Sequence, residues 1–266
     1  MKAMTLSIHV MKLDPTDGTG NGRAGRMFGA VVLALAVRFA SCQVDSDLAP
    51  RQISTAQTMV VSKGDLRVPL KVQKVIDRAH KELLRGRYEL AQNDVQRALD
   101  LCPHCALALT FQGIVNLRKG NPSEAASAFQ QAIDADPSSG SAYLGMAIIL
   151  NHQGRFKDAI APLDRAAPLL TNSWLLHFES AWAHLGIGES LVGLRDAISA
   201  EGLSESDPER LSAVAYLRGI AHFQLQDFSG AKRYFEEAVD HDPKGTFAML
   251  AQKRVEQVND FVSKKR

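Results

Sequence analysis

Small residues recur along most of this chain with a period of about 34 residues. When the first positions of successive units are set at Val72, Ala106, Gly140, Trp174 and Ser212, positions 8, 20 and 27 of every unit hold alanine or glycine. Small side chains let two antiparallel helices approach closely, and larger apolar residues fill the positions between them. The pattern therefore predicts a stack of helix pairs, because a fixed period of this length is typical of repeat architectures.

Glycine and proline mark the ends of the predicted helices. Glycine at position 15 suits a left-handed residue in the turn after the first helix, and proline at position 32 stops the second helix. The glycines are Gly86, Gly120, Gly154 and Gly188, and the prolines are Pro103, Pro137 and Pro243. The units are predicted to span residues 72–105, 106–139, 140–173, 174–211 and 212–245.

Two units depart from this pattern. In the third unit Thr171 replaces the closing proline and Pro162 falls inside the second helix, which we expect to be kinked or shortened because an interior proline costs about 3 kcal/mol. The fourth unit is longer than the others, and its surplus is expected in the loop-like stretch Gly202–Glu209. Residues 246–266 are predicted to form a final helix with a polar face, followed by a basic tail.

Over residues 69–245 the chain resembles the tetratricopeptide repeat family, through the small residues at positions 8, 20 and 27 and the closing prolines. The resemblance implies an all-α fold: a right-handed α-solenoid of about five helix–turn–helix repeats with a C-terminal capping helix. Members of this family are binding platforms, so the resemblance implies protein–protein interaction rather than catalysis.

In this family the first helix of each repeat lines a concave groove through fixed positions. Carried over to this chain, those positions are largely apolar, which suits an amphipathic helix or an extended apolar peptide. The lysines and asparagines with which chaperone-binding members clamp a peptide carboxylate are missing. Tight curvature could instead bury part of the set, and the chain's own N-terminal tether could fill it. The predicted groove residues are Ile76, Leu107, Ile114, Leu144, Ile148, Phe178, Trp182, Tyr216, Ile220 and Phe223.

The N-terminal region has the order of an export signal. Arg23 and Arg26 precede an apolar run at residues 28–37, which is too short to span a bilayer. Small residues and Cys42 follow, so residues 1–42 resemble a bacterial lipoprotein signal with Cys42 as the lipidated residue. Residues 43–68 would then be a flexible tether, and the protein would lie in the cell envelope on the periplasmic side. Another export route, or a cytoplasmic chain, remains open.

Composition limits the other classes of function. The whole chain has 31 Lys or Arg and 29 Asp or Glu, of which positions 1–42 hold five and two, so the remainder has 26 basic and 27 acidic side chains. A near-neutral repeat region is not expected to bind nucleic acid, which requires a basic face. The histidines and carboxylates do not stand at metal-site spacing, and no catalytic set is present. Residues 20–25 match the dinucleotide-binding pattern G-x-G-x-x-G, but the βαβ unit that such a site needs is missing, because helices are predicted to follow. We therefore expect no metal, no cofactor and no enzymatic activity.

The segment Cys102-Pro103-His104-Cys105 is the one candidate for chemistry. This spacing occurs in thiol–disulfide oxidoreductases, but Cys102 is predicted at the C-terminal end of a helix, where the helix dipole opposes a thiolate. The other interpretations are a structural disulfide between Cys102 and Cys105, a metal contact through Cys102, His104 and Cys105, or passive turn residues.

The sequence therefore predicts a membrane-tethered, non-catalytic scaffold for a protein or peptide partner, in pilus, secretion or envelope assembly. A soluble cytoplasmic adaptor and an oxidoreductase using Cys102 and Cys105 are the alternatives.

Overall fold

The computed structural model describes residues 68–265, with side chains to residue 263, and this range contains eleven α-helices and no strand. The predicted all-α class is therefore confirmed. The helices are α1 Leu70–Leu84, α2 Tyr88–Leu101, α3 Ala106–Arg118, α4 Pro122–Ala135, α5 Gly140–His152, α6 Phe156–Ala166, α7 Trp174–Gly186, α8 Ser190–Gly202, α9 Pro208–Gln224, α10 Phe228–His241 and α11 Thr246–Lys265.

The helices form five successive pairs, α1–α2 to α9–α10, and each helix packs against the next one along the chain. The first helices of neighbouring pairs also contact one another, and α11 packs against both α9 and α10. Contacts between sequence neighbours are what distinguish a solenoid from a globular bundle. The stack of helix pairs that the sequence period predicts is thus present.

The predicted helix ends agree with the backbone. The four glycines at position 15 adopt positive φ angles between 69° and 84°. The fifth unit has Gln226 at this position, and it takes the same left-handed conformation with φ 62°. At the other end of the repeat, α2 ends at Leu101, and Pro103 follows its C-cap residue Cys102.

Aromatic side chains at position 24 occupy the space that the small residues leave. A Cβ atom on Gly113 would lie 2.5 Å from ring carbon Cε1 of Phe129, and a Cβ on Gly145 of the next unit would overlap the same ring. Phe129 is fully buried, so its ring is held between two repeats. In the fifth unit a Cβ on Gly219 would likewise lie 2.5 Å from Phe235. Glycine is therefore required at these positions for the aromatic ring to fit.

Positions 3, 6 and 10 of each first helix face the preceding unit. In α3 these are Ala108, Phe111 and Val115, which are buried in one cluster with apolar residues of α1 and α2. The corresponding residues of α5, α7 and α9 are also buried. In α1 they are Lys74, Asp77 and Lys81, which are all exposed. Helix α1, the first of the described helices, therefore has a charged face where later first helices meet a preceding unit.

The third unit differs from the others where the sequence predicts, and the fourth does so only in part, because Gly202, Pro208 and Glu209 of its predicted loop are helical. Helix α6 contains Pro162 and, with 11 residues, is the shortest of the described helices. In the fourth unit the surplus is divided between a loop at residues 203–207 and an extension of α9, which begins at Pro208 and has 17 residues. The Asp207 side chain caps α9 by accepting a hydrogen bond from the backbone N–H of Arg210 at 3.1 Å.

Helix α11 continues the repeat register, because Thr246 follows Ser212 at the same spacing that separates Ala106 from Val72. Position 8, which holds alanine or glycine in all five units, is Lys253 in this helix, and its side chain is exposed. A long charged side chain at this position prevents the close approach of a further second helix. Helix α11 thus has the polar outer face that a terminal cap requires.

We predict that Gly113→Ala destabilises the fold by about 1–3 kcal/mol, because the added Cβ overlaps Phe129 in a close-packed core. The free energy of unfolding in urea, followed by circular dichroism, measures this effect. Gly202→Ala is the matched control, since nothing lies within 4 Å of its added Cβ, and it should be neutral or slightly stabilising. Equal effects of the two substitutions would contradict the packing described here.

Candidate functional site

The structure divides the predicted groove residues into two groups. Seven of them are at most 6% exposed, and three are half-buried. The seven are Ile76, Leu144, Ile148, Phe178, Trp182, Tyr216 and Ile220, and the three are Leu107 and Ile114 on α3 and Phe223 at the end of α9. Among the predicted groove residues, the apolar side chains accessible to a partner are therefore mainly those on α3.

Phe247 of the capping helix packs among the aromatic residues of the fourth and fifth units. Its ring centroid lies 5.9 Å from that of Phe178, 6.4 Å from that of Trp182 and 5.8 Å from that of Tyr216. Phe178 also stacks on Trp174 with the centroids 5.0 Å apart. Edge-to-face and offset contacts at these distances are favourable between aromatic rings. We call this set, with Ile220, the closed half of the groove.

Phe247 is missing from the predicted groove because the sequence analysis treats α11 as a cap alone. The signal that identifies it is the repeat register, since Phe247 is position 2 of a sixth first helix and position 2 is a groove position. The chain's own C-terminal helix therefore contributes to the groove. The groove residue Phe223 belongs to a separate cluster, where its ring lies 5.5 Å from Phe228 and 6.1 Å from Phe261.

We call Leu107 and Ile114 the open half of the groove. They lie seven residues apart and thus on one face of α3, and both side chains are half-buried. Arg118 lies at the end of the same helix, and burial, against the opposing effects of Tyr88 and Glu209, lowers the pKa of its guanidinium. On α5, burial lowers the pKa of His152 to about 4, so this imidazole is neutral at pH 7. The open half itself consists of two apolar side chains, and Arg118 supplies a positive charge at the end of the same helix.

Glu179 is a buried carboxyl group between the third and fourth units. It occupies position 6 of α7, where the second, third and fifth units have Phe111, Gly145 and Leu217 and the first unit has the exposed Asp77. The Asn151 side-chain amide donates hydrogen bonds to the Glu179 carboxylate at 2.8 Å and to its backbone carbonyl at 3.0 Å. Burial raises the pKa of Glu179 to about 7, and the Asn151 hydrogen bond opposes this only in part. This acid is absent from the residues predicted from the sequence, although a carboxyl group at position 6 is unusual in the repeat register.

The two cysteines of the Cys-Pro-His-Cys segment are free thiols in this structure. Cys102 is the C-cap residue of α2, at the helix end where the sequence analysis places it, and Cys105 precedes the first residue of α3. Burial raises the pKa of the Cys105 thiol, and its neighbour Cys102 adds to the shift. A protonated thiol is a weak nucleophile, so this arrangement does not favour thiol chemistry.

The predicted lipidation site and tether lie outside the described range. Cys42 and the export and tether segments lie outside residues 68–265. Over the described range, no group of three or more His, Cys, Asp or Glu side chains could hold a metal ion. No helix in that range has the length and hydropathy needed to cross a membrane.

Two family models match the chain, and both are described as tetratricopeptide repeat. One matches residues 76–139 and 112–173, and the other matches residues 212–244. These matches cover parts of the first to third units and the fifth unit, whose registers agree with the helix pairs described above. No curated protein sequence matches the chain.

Solved structures of similar fold include several repeat proteins. PilF of Pseudomonas aeruginosa is 17% identical with a TM-score of 0.59, over 71% of this chain and 84% of its own. PilW, a type IV pilus biogenesis factor, is 14% identical with a TM-score of 0.57, over 65% of this chain and 78% of its own. YrrB, a tetratricopeptide protein with an unusual peptide-binding site, is 21% identical with a TM-score of 0.52, over 67% of this chain and 90% of its own. At these identities the likeness supports the fold alone.

The raised pKa of Glu179 predicts that the stability of this fold falls as pH rises. The unfolded chain releases the Glu179 proton near the ordinary pKa of 4.5, whereas the folded chain keeps it until about pH 7. Folding stability contributed by the protonated form is therefore lost between these values, by up to about 3 kcal/mol. We expect Glu179→Gln to unfold at a higher urea concentration than the wild type at pH 8, and at a similar one below pH 4.5.

The exposed Glu256 on α11 provides the matched control. Glu256→Gln should leave the pH dependence of the urea midpoint as it is in the wild type. The same pH dependence in wild type and Glu179→Gln would show that Glu179 does not cause it.

Proposed function

We propose that this chain, whose residues 76–173 and 212–244 are tetratricopeptide repeats, is a non-catalytic scaffold that binds a partner helix or extended peptide. The partner lies on the open half of the groove, and the scaffold is held at a bacterial membrane by lipid on Cys42. The observation that carries the binding proposal is the half-buried pair Leu107 and Ile114, since the corresponding positions of the fourth and fifth units are buried.

The chemistry of the open half determines the kind of partner. Leu107 and Ile114 offer an apolar surface that gains free energy when a partner's apolar side chain covers it, at about 25 cal/mol for each Å² of apolar surface buried. Apolar residues at i and i+7 on one helix suit the apolar stripe of an amphipathic helix. An extended peptide with apolar side chains on one side would fit equally. The peptide-binding site named for the structural neighbour YrrB is consistent with either occupant.

Membrane tethering is supported by the sequence of residues 23–42 rather than by the helices. The basic residues, the apolar run and Cys42 stand in the order of a lipoprotein signal. PilW, named as a type IV pilus biogenesis factor, shares the fold. Assembly of a pilus, a secretion system or the envelope is therefore the process we propose, with the repeats on the periplasmic side. A soluble cytoplasmic adaptor is the alternative if Cys42 is not lipidated.

The groove proposal predicts that Leu107→Asp with Ile114→Asp reduces partner capture at least tenfold, because a partner cannot cover two carboxylates without desolvating them. The partner is first crosslinked to the chain in intact cells through a photoreactive amino acid placed at Ile114. Its binding to both variants is then measured. Circular dichroism checks that the variants fold.

The control carries the same two charges on another apolar surface. Leu191 and Ile198 are 70% and 49% exposed on α8 and also lie seven residues apart. Leu191→Asp with Ile198→Asp should retain the partner. Capture that survives the α3 substitutions and is lost with the α8 substitutions would place the binding site on α8 and overturn the proposal.

The tethering proposal predicts that cells fed a radioactive fatty acid label the wild-type chain and not Cys42→Ala. The unlabelled variant should also leave the membrane fraction when cells are fractionated. Label that persists in Cys42→Ala would rule out lipidation at this residue. Ser41→Ala, which keeps the cysteine, is the matched control and should still be labelled.

A further inference from the structure

The outward face of α1 has no preceding helix pair to cover it among the described residues. Positions 3, 6 and 10, which dock later first helices onto their preceding units, are Lys74, Asp77 and Lys81 in α1. All three are exposed. The opposite face of α1 is apolar and buried, with Val72 and Ile76 at most 2% exposed. Among the described residues, no helix therefore packs on the outer face of α1.

The outer face of α1 is strongly basic. Five positive side chains and one negative side chain lie within an arc of roughly 120° around the helix, namely Lys71, Lys74, Arg78, Lys81 and Arg85 against Asp77. Glu82 lies just beyond this arc and forms an ion pair with Arg85. We call this set the basic face. Arg78 and Arg85 are paired with carboxylates beside the face, but no ion pair within the described residues holds any of its three lysines.

The need for a soluble end does not explain this excess of positive charge. The other end of the stack, the outer face of α11, achieves solubility with Gln252, Lys253, Glu256 and Asp260, which carry one positive and two negative charges. A polar cap is thus possible in this fold without a charge bias. Residues 43–266 as a whole are also slightly acidic, so the positive charge is concentrated on α1 rather than shared.

Two leucines lie on either side of Asp77, at one side of the basic face. Leu70 is 73% exposed and Leu84 is 49% exposed, and they stand near the two ends of α1. Basic residues with apolar side chains beside them are the composition with which interfacial helices bind anionic lipid, because the charges attract the headgroups and the apolar side chains enter the acyl boundary. The phosphates of a nucleic acid would also attract the basic side chains, but they provide no apolar environment that could bury the leucines.

We infer that the basic face of α1 docks onto an anionic lipid bilayer as a second membrane contact, separate from the groove. The inference depends on the proposed tethering in one respect. The tether is the reason for choosing a bilayer, rather than another polyanion, as the surface that the basic face binds. The segment 43–69 separates Cys42 from Leu70, a length of chain that reaches at most roughly 90 Å when fully extended. A tether of this reach keeps α1 near the surface at high effective concentration.

Docking through α1 would orient the binding groove. Helix α1 contacts α3 directly, and α3 carries Leu107 and Ile114 of the open half. The open half would then lie close to the membrane and the closed half, with Phe247, farther from it. A partner that emerges from the bilayer would meet the open half first.

The test uses the full chain with Cys42→Ala, so that no lipid anchor contributes. Binding is measured by co-sedimentation with vesicles of phosphatidylcholine alone, or of phosphatidylcholine and phosphatidylglycerol in equal parts. We expect binding to the anionic vesicles that weakens with added salt. Replacing Lys71, Lys74 and Lys81 by glutamate should lower this binding at least about tenfold, and replacing them by glutamine should lower it less.

In the control triple, glutamate replaces Lys157, Lys244 and Lys253, which are exposed on other helices and loops. This variant changes the net charge by the same amount as the glutamate triple on α1. It should leave vesicle binding nearly unchanged. Leu70→Ser should weaken binding without changing its salt dependence. Equal losses in the two triples, equal binding to neutral vesicles, or full displacement by double-stranded DNA at matched phosphate would each overturn the inference. None of these outcomes bears on partner capture by α3 or on lipidation of Cys42, which have their own tests.

Discussion

The close approach of neighbouring helices through small residues is the constraint on which the rest of this structure depends. The ring of Phe129 fits only because Gly113 of its own unit and Gly145 of the next unit have no Cβ. Each such contact ties a second helix to two first helices, and it thereby fixes the distance between repeats. The groove positions follow from this spacing, since they lie on the side of the first helices away from these contacts.

The groove is unequal along its length because the capping helix contributes to one end of it. Phe247 packs against Phe178, Trp182 and Tyr216. These aromatic side chains are already buried against one another, so they stabilise the fourth and fifth units and are not accessible to a partner. The half-buried Leu107 and Ile114 are the accessible predicted groove residues on α3. The same feature of the fold, a first helix that contacts its neighbours on both sides, explains why α1 and α11 must end the stack with polar residues.

Most of the fold can be predicted from the sequence because the same residue types recur at the same positions of each repeat. Residues such as Gly86 and Pro103 mark helix ends by their own backbone preferences. The groove is harder to predict, because burial depends on which distant side chains meet. Nothing local to Trp182 indicates that Phe247 packs against it. Glu179 illustrates the same limit, since its pKa is raised by burial between two units rather than by its neighbours in sequence.

The division of the groove into a closed and an open half is the central claim, and tryptophan fluorescence tests it directly. The chain has two tryptophans, Trp174 and Trp182, which are 2% and 6% exposed. In the native chain, acrylamide should quench their emission only weakly, whereas a third tryptophan introduced by Ile114→Trp should be quenched readily. Strong quenching of the two native tryptophans, or protection of the tryptophan at position 114, would contradict this account.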